Sequence, residues 1–201
     1  MNLPNKLTIF RIILVPLMVI IPYLGIEGTF NQIPISFIIM DVIFIIASIT
    51  DKLDGYLARK NNQVTTFGKF LDPLADKILV LSAMLILVES QTFKLPVIIP
   101  IIVLAREFIV SGYRLVAVEK GGKVIAASNW GKLKTVTQMI AIIFAFIDVN
   151  NFGACFKGDL QGMTLALNIF TTSMMILQTV ATVFSGYDYL KGAKELLKSE
   201  K

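Results

Sequence analysis

Histidine is absent from the 201 residues and cysteine occurs once, at Cys155. The first absence removes histidine-based acid catalysis, a serine–histidine nucleophile and a phosphohistidine intermediate. The second removes an intramolecular disulfide and any cysteine cluster for zinc or iron–sulfur, leaving Cys155 a packing role. Charge is scarce as well: 16% of the residues are charged, against about 25% in an ordinary soluble domain. Linkers, repeats and low-complexity segments are missing, so nothing divides the chain, and residues 1–201 read as a single domain. Whatever chemistry the chain performs falls to carboxylates, lysines, arginines and a metal.

What is plentiful is apolar sequence: 55% of the residues are hydrophobic and the mean hydropathy is +0.74. Crossing a bilayer of about 30 Å at 1.5 Å per residue takes about 20 apolar residues. Six runs approach that length, at 7–24, 33–50, 70–88, 95–118, 132–148 and 162–184. The expected fold is therefore an all-α integral membrane bundle of six transmembrane helices. The first run lacks a small-residue cleavage pattern and is read as a span, not as a leader.

Lys6, Arg11, Arg59, Lys60, Lys69, Lys120, Lys123, Lys132, Lys134 and the lysines of the tail fall on one side if the spans alternate, and only Lys94 and Lys157 on the other. Basic residues accumulate in cytoplasmic loops, so both termini and the 60–68 connection are expected in the cytoplasm. The net charge of +5 suits anionic lipid headgroups, not nucleic acid, because the basic residues lie along a membrane face. Asn5 or Thr8 is a candidate cap for the first helix. The tail DYLKGAKELLKSEK reads as a basic segment on the cytoplasmic surface or a solvated helical end.

The most informative stretch is DKLDGYLARKNNQVTTFGKFLDPLADK, residues 51–77. One helix from Ile33 to about Arg59, roughly 40 Å long, carries Asp51 and Asp54 about 60° apart. The next span begins near Lys69 and carries Asp72 and Asp76 about 40° apart. Two antiparallel helices joined by a short loop thus bring four carboxylates together. An ionised aspartate at mid-bilayer costs about 2.5–3.5 kcal/mol even on the lenient insertion scale, so four together need counter-charge. Hard divalent cations bind oxygen ligands, and a pair of them is a standard device for phosphoryl displacement. Two Mg²⁺ or Mn²⁺ ions would neutralise four aspartates. Gly55 and Ala58 leave that face with little bulk, so a ligand can approach the backbone, and Arg59 presents a fork suited to phosphate. Gly68 is expected at the turn opening the second of these helices and Pro73 in its first turn. The ordinary alternative pairs these acids with Lys52, Lys60, Lys69 and Lys77 at a solvated surface.

The pattern Asp51-x-x-Asp54-Gly55-x-x-Ala58-Arg59, eight residues, Gly68-x-x-x-Asp72-x-x-x-Asp76 resembles the signature of the CDP-alcohol phosphotransferase family in every fixed position. NLPNKLTIFRI, AREFIVSGYRLVA at 105–117 and GKLKT at 131–135 resemble the members that join CDP-diacylglycerol to sn-glycerol 3-phosphate. The resemblance runs from residue 2 to about 138. It implies a six-helix homodimer in the cell membrane, with its active site at the cytoplasmic face. Asp51, Asp54, Asp72 and Asp76 would hold two divalent cations, with Asp76 also the base for the acceptor hydroxyl. Asp51, Gly55, Ala58 and Arg59 would meet the cytidine diphosphate part of the donor.

A phosphorylated acceptor needs cations of its own. Arg106 and Arg114 lie in an apolar run, about 80° apart around a helix, where an unpaired arginine usually turns to a polar cavity. With Lys134 they make a candidate phosphate cradle, to which Lys132 and Ser128 could add. The competing reading pairs either arginine with Glu107 and leaves the lysines at the membrane surface. Inositol phosphate, serine or phosphatidylglycerol are alternative acceptors. A phospholipase-D-type cardiolipin synthase is set aside because that chemistry needs histidine. A divalent-cation transporter would place its acids nearer the bilayer midplane. Asp41, about 15 Å along the helix from Asp51, is too far to join the metals and is expected to bond another helix.

Overall fold

The computed structural model describes residues 2–60, 66–119 and 129–198. Six long helices account for most of them: α1 (Leu3–Ile20), α2 (Ile35–Lys60), α3 (Thr66–Glu89), α4 (Ile98–Glu119), α5 (Asn129–Ile147) and α6 (Gly162–Lys198). They coincide with the six apolar runs. A 3-10 turn at Ile21–Tyr23 and a two-stranded ribbon, β1 (Thr29–Phe30) with β2 (Ile33–Pro34), join α1 to α2. The ribbon turns at Asn31 and Gln32, both with positive φ; asparagine tolerates that region best among residues other than glycine.

By length and composition, α1, α5 and α6 each contain a stretch able to cross a membrane. The other three long helices carry more charge inside their apolar stretches. Asp41, Asp51 and Lys52 interrupt α2, Asp72, Asp76 and Lys77 interrupt α3, and Arg106, Glu107 and Arg114 interrupt α4. Most of those interruptions are the candidate site residues themselves.

The exterior of the bundle is largely apolar, and polar side chains are buried on the inward face of α6. Along α6, Asn168, Thr171, Thr172, Gln178, Thr182 and Ser185 are buried, while Ile169, Ile176, Val180 and Val183 are exposed. A water-soluble helix would reverse that arrangement; here the exposed face suits lipid, and the polar face bonds inward. The apolar centre is built from Met18, Met40, Phe44, Leu79, Met84, Ile142 and Phe146. The Phe146 ring meets Phe37 edge-on at 6.0 Å and Phe44 at 6.3 Å, which seats α5 against α2. Helix α1 packs against both α2 and α3, and α6 against both α4 and α5.

Several local expectations change. Helix α1 starts at Leu3, with Asn2 at its cap position and proline at its opening turn, so Asn5 and Thr8 lie within the helix and do not cap it. Proline suits that start because the first N–H groups have no helical partner anyway. Helix α3 starts at Thr66, which places Gly68 in its first turn and Pro73 in its interior; the proline has no N–H to give the carbonyl of residue 69, four positions earlier. The tail continues α6 as helix to Lys198, as the helical-end reading has it, so that α6 runs unbroken for 37 residues, roughly 55 Å. Tyr189 is the reason: it is 2% exposed and packs edge-on against Tyr113 of α4 at 5.7 Å, holding the first turns of the tail in the bundle. Asp41 is buried, and its Oδ1 has no hydrogen-bond partner, so the expected bond to another helix is not made by that oxygen.

Candidate functional site

Helix α2 continues past its apolar part as one piece to Lys60, as the spacing of the aspartates requires. Asp51 and Asp54 thus project from its last turns toward the start of α3. Asp54 is almost wholly enclosed, whereas the Asp51 side chain is one-third exposed. Asp72 and Asp76, both half-buried, stand on α3 facing them.

The third wall is α1, which the sequence pattern did not reveal. Thr8 Oγ donates to Asp72 Oδ1 at 2.6 Å and lies 3.5 Å from Asp54 Oδ2, bridging α2 to α3. One turn further, the Arg11 guanidinium sits between the two carboxylates of α2. Its Nη1 is 2.8 Å from Asp51 Oδ1, and its Nη2 donates to Asp54 Oδ2. Arg11 is 0% exposed, so this charge is out of solvent and needs the carboxylates as much as they need it. Lys52 acts on Asp51 only electrostatically, and among the described residues Arg11 is therefore the ion-pair partner of Asp51 and Asp54. The signal for it was present in the sequence: an arginine in an apolar run, three residues after a threonine, is a site candidate by the same rule that picked out Arg106 and Arg114.

With Arg11 and Thr8 in place, no three carboxylates among the described residues converge on one point. The donor set nonetheless fits hard cations, since it consists of oxygen ligands only and Asp51 and Asp54 already face a shared positive charge. Gly55 follows Asp54 on the helix and is half-buried. Ala58 and Arg59 continue α2, their side chains lying outside the described residues.

Asp76 faces a second region. It lines a cavity of about 320 Å³ whose polar wall includes Lys77, Glu107, Ser111 and Lys134 and whose remainder is largely apolar, with Leu74, Val80, Val103 and Phe108. Asp51 and Arg11 of the first region and Lys134 and Glu107 of the second all act on Asp76 electrostatically. Asp76 is thus the carboxylate common to both regions.

Glu107 is the hub of the second region. Its Oε1 accepts from Arg106 Nη1 and from Lys134 Nζ, each at 2.8 Å, and Lys77 Nζ stands 3.8 Å from its Oε2. Lys77 also donates to Ser111 Oγ. Arg106 reaches across to α6, where Nη2 donates to Ser185 Oγ at 2.7 Å and the guanidinium lies 5.7 Å from the Tyr189 ring centre. Arg114 Nη2 donates to the Tyr189 hydroxyl at 3.4 Å. Of the expected cradle, Arg106 and Lys134 meet on Glu107, and among the described residues Arg114 joins them through Tyr189. The structural pairing of Arg106 with Glu107 is real; Arg114 has Tyr189 instead. Lys132 is exposed, two positions and so about 200° around α5 from the buried Lys134, and it does not join the cluster. Ser128 lies outside the described residues. Lys77, Ser111 and Tyr189 belong to this region although the sequence pattern did not single them out for it.

The chain matches the CDP-alcohol phosphatidyltransferase family over residues 1–184, a range that contains the first region and the Glu107 cluster of the second and ends just before Ser185 and Tyr189. It is 40% identical over 194 residues to the CDP-diacylglycerol–glycerol-3-phosphate 3-phosphatidyltransferase of Haemophilus influenzae, covering 96% of this chain and 94% of that one. The enzyme of the same name from Bacillus subtilis is 47% identical over 146 residues, 70% of this chain and 74% of its own. That from Rickettsia bellii is 35% identical over 196 residues, 96% of both chains. The chain belongs to the CDP-alcohol phosphatidyltransferase family.

Proposed function

We infer that the protein transfers the phosphatidyl group of CDP-diacylglycerol to sn-glycerol 3-phosphate, giving phosphatidylglycerophosphate and CMP. The observation that carries this reading is the placement of Asp76, which stands between a carboxylate cluster and a cation-lined cavity. A displacement at phosphorus needs both: a place for the donor's diphosphate and a place for an acceptor that is itself an anion.

Asp51, Asp54, Asp72 and Asp76 would hold two divalent cations, Mg²⁺ or Mn²⁺. Such ions supply charge withdrawal from the diphosphate and stabilisation of the departing phosphate. The chain's own residues do the rest. Gly55, Ala58 and Arg59, on the turn that follows Asp54, receive the cytidine diphosphate. Lys134, Arg106 and Lys77 draw in the phosphate of the acceptor, supported by Arg114 through Tyr189. The acceptor hydroxyl then lies beside Asp76. Its oxygen bonds to the phosphorus that carries diacylglycerol, the bond from that phosphorus to CMP breaks, and Asp76 takes the hydroxyl proton. The apolar part of the cavity wall keeps water, a competing nucleophile, away from the phosphorus.

All six helices cross the membrane in this reading. The charges in α2, α3 and α4 face the site, and the enzyme is a homodimer in the cell membrane. Both termini and the aspartates lie toward the cytoplasm, where CDP-diacylglycerol headgroups and glycerol phosphate meet.

The direct test is CMP release by the purified protein in detergent from CDP-diacylglycerol and Mg²⁺. The acceptors to compare are glycerol 3-phosphate, inositol 1-phosphate, serine and phosphatidylglycerol, each with and without EDTA. Release with glycerol 3-phosphate alone, abolished by EDTA, is expected. Release with a different acceptor would overturn the assignment of the cavity, and metal-independent release would overturn that of the aspartates.

A further inference from the structure

Arg11 makes poor use of its donors for a residue with no exposure. Of its guanidinium nitrogens only Nη2 is in an aligned hydrogen bond, to Asp54. Nη1 is close enough to Asp51 for an ion pair but not aligned as a donor, and Nε has no partner at all. Buried donors are normally satisfied, and each one left without a partner is destabilising. A guanidinium kept in that condition, in the middle of a carboxylate cluster, is placed for a ligand that has yet to arrive.

Charge points to the kind of ligand. In the structure Arg11 is the one cation bonded to Asp51 and Asp54 among the described residues. Once two divalent cations are bound, four aspartates are already neutralised, and the Arg11 charge becomes surplus. A surplus positive charge with unsatisfied N–H groups in a planar fork matches phosphate oxygens, and the donor's diphosphate is the phosphate due at this end of the site.

We propose that Arg11 is a built-in counter-cation that competes with divalent metal for Asp51 and Asp54 and, once the metal has taken them, turns its guanidinium to the diphosphate of the donor. This rests on the metal-dependent reading above. It makes donor and metal binding mutually supportive: metal frees Arg11 for the diphosphate, and the diphosphate keeps Arg11 off the carboxylates. It also lets the cluster remain folded without metal, since the charge that four facing aspartates require is already part of the chain.

The experiment measures Mn²⁺ binding to the full-length protein in detergent, from the electron paramagnetic resonance signal of free Mn²⁺, without donor. Wild type, Arg11→Met, Arg11→Lys and Asp72→Asn are compared, and KM for CDP-diacylglycerol is then measured at saturating Mn²⁺. Arg11→Met is expected to bind Mn²⁺ about tenfold more tightly than wild type, because the competing charge is gone, and to show a KM for the donor raised about tenfold or more. Arg11→Lys keeps the charge without the fork, so its Mn²⁺ affinity stays near wild type while its KM for the donor still rises. Thermal unfolding without metal reports whether each variant folds; if Arg11→Met does not, the Arg11→Lys comparison decides. Unchanged or weaker Mn²⁺ binding in a folded Arg11→Met would overturn the competition, and an unchanged KM in Arg11→Lys would overturn the contact with the diphosphate. Wild type that binds no Mn²⁺, or Asp72→Asn that binds it as well as wild type, would sink the metal reading itself.

Discussion

The two charged regions of the bundle are built on opposite plans. Between α1, α2 and α3, Asp51 and Asp54 flank Arg11 and Asp72 joins them through Thr8, so negative charge is in excess. Between α3, α4 and α5, one glutamate is surrounded by Lys77, Arg106 and Lys134, so positive charge is in excess. Each region carries a central residue of the opposite sign, Arg11 in one and Glu107 in the other, that keeps it tolerable in a low-dielectric interior. The difference in sign sorts ligands, since the first region attracts cations and the second an anion. Asp76 and Lys77, neighbours on α3, mark the boundary between them.

The largest effect should come from breaking that boundary. Asp76→Asn keeps the shape and removes the charge, and kcat for CMP release should fall about 10²–10⁴-fold, the usual contribution of a positioned base. KM for glycerol 3-phosphate should change far less; an equal change in both constants would move Asp76 out of the proton transfer. A smaller effect should follow on the cationic side alone. Lys134→Met removes one of two cations bonded to Glu107 and should raise KM for glycerol 3-phosphate about 10–100-fold, the worth of one charge-assisted contact. Mn²⁺ affinity should hold within about twofold, which Mn²⁺ titration checks. The smallest effect sharpens the comparison from the opposite direction. Glu107→Gln leaves an acceptor for Lys134 and Arg106 but deletes the competing anion, so inorganic phosphate should inhibit at concentrations about two- to fivefold lower than in wild type. Weaker inhibition would show that Glu107 chiefly aims the two cations.

How much of this was legible in the sequence differs between the regions. The aspartate pairs could be placed because their partners are close in the chain: helix periodicity puts Asp51 and Asp54 on one face and Asp72 and Asp76 on another, and a short connection makes the two helices neighbours. Arg11 and Thr8 escaped because they lie forty or more residues from Asp51 and Asp54, and nothing local says which helix α1 will lie against. On the cationic side Arg106 and Lys134 were found because charge in an apolar run needs a reason. Tyr189 was missed because the basic composition of the tail argued for a surface, whereas its aromatic ring decided for the bundle. Lys132 was placed in the cradle by proximity in sequence to Lys134, although the helix turns it away.

The sequence by itself determined the six long helices, the lipid-compatible exterior and the two sets of charges, because these follow from hydropathy and from periods of three and four residues. Only the tertiary structure decided which charges neutralise which, that Arg11 enters the aspartate cluster while Glu107 gathers the cations, and that one carboxylate, Asp76, is shared between them. The physical reason is that ion pairs in a low-dielectric interior are set by the register and rotation of helices distant in the chain, which local pattern does not encode.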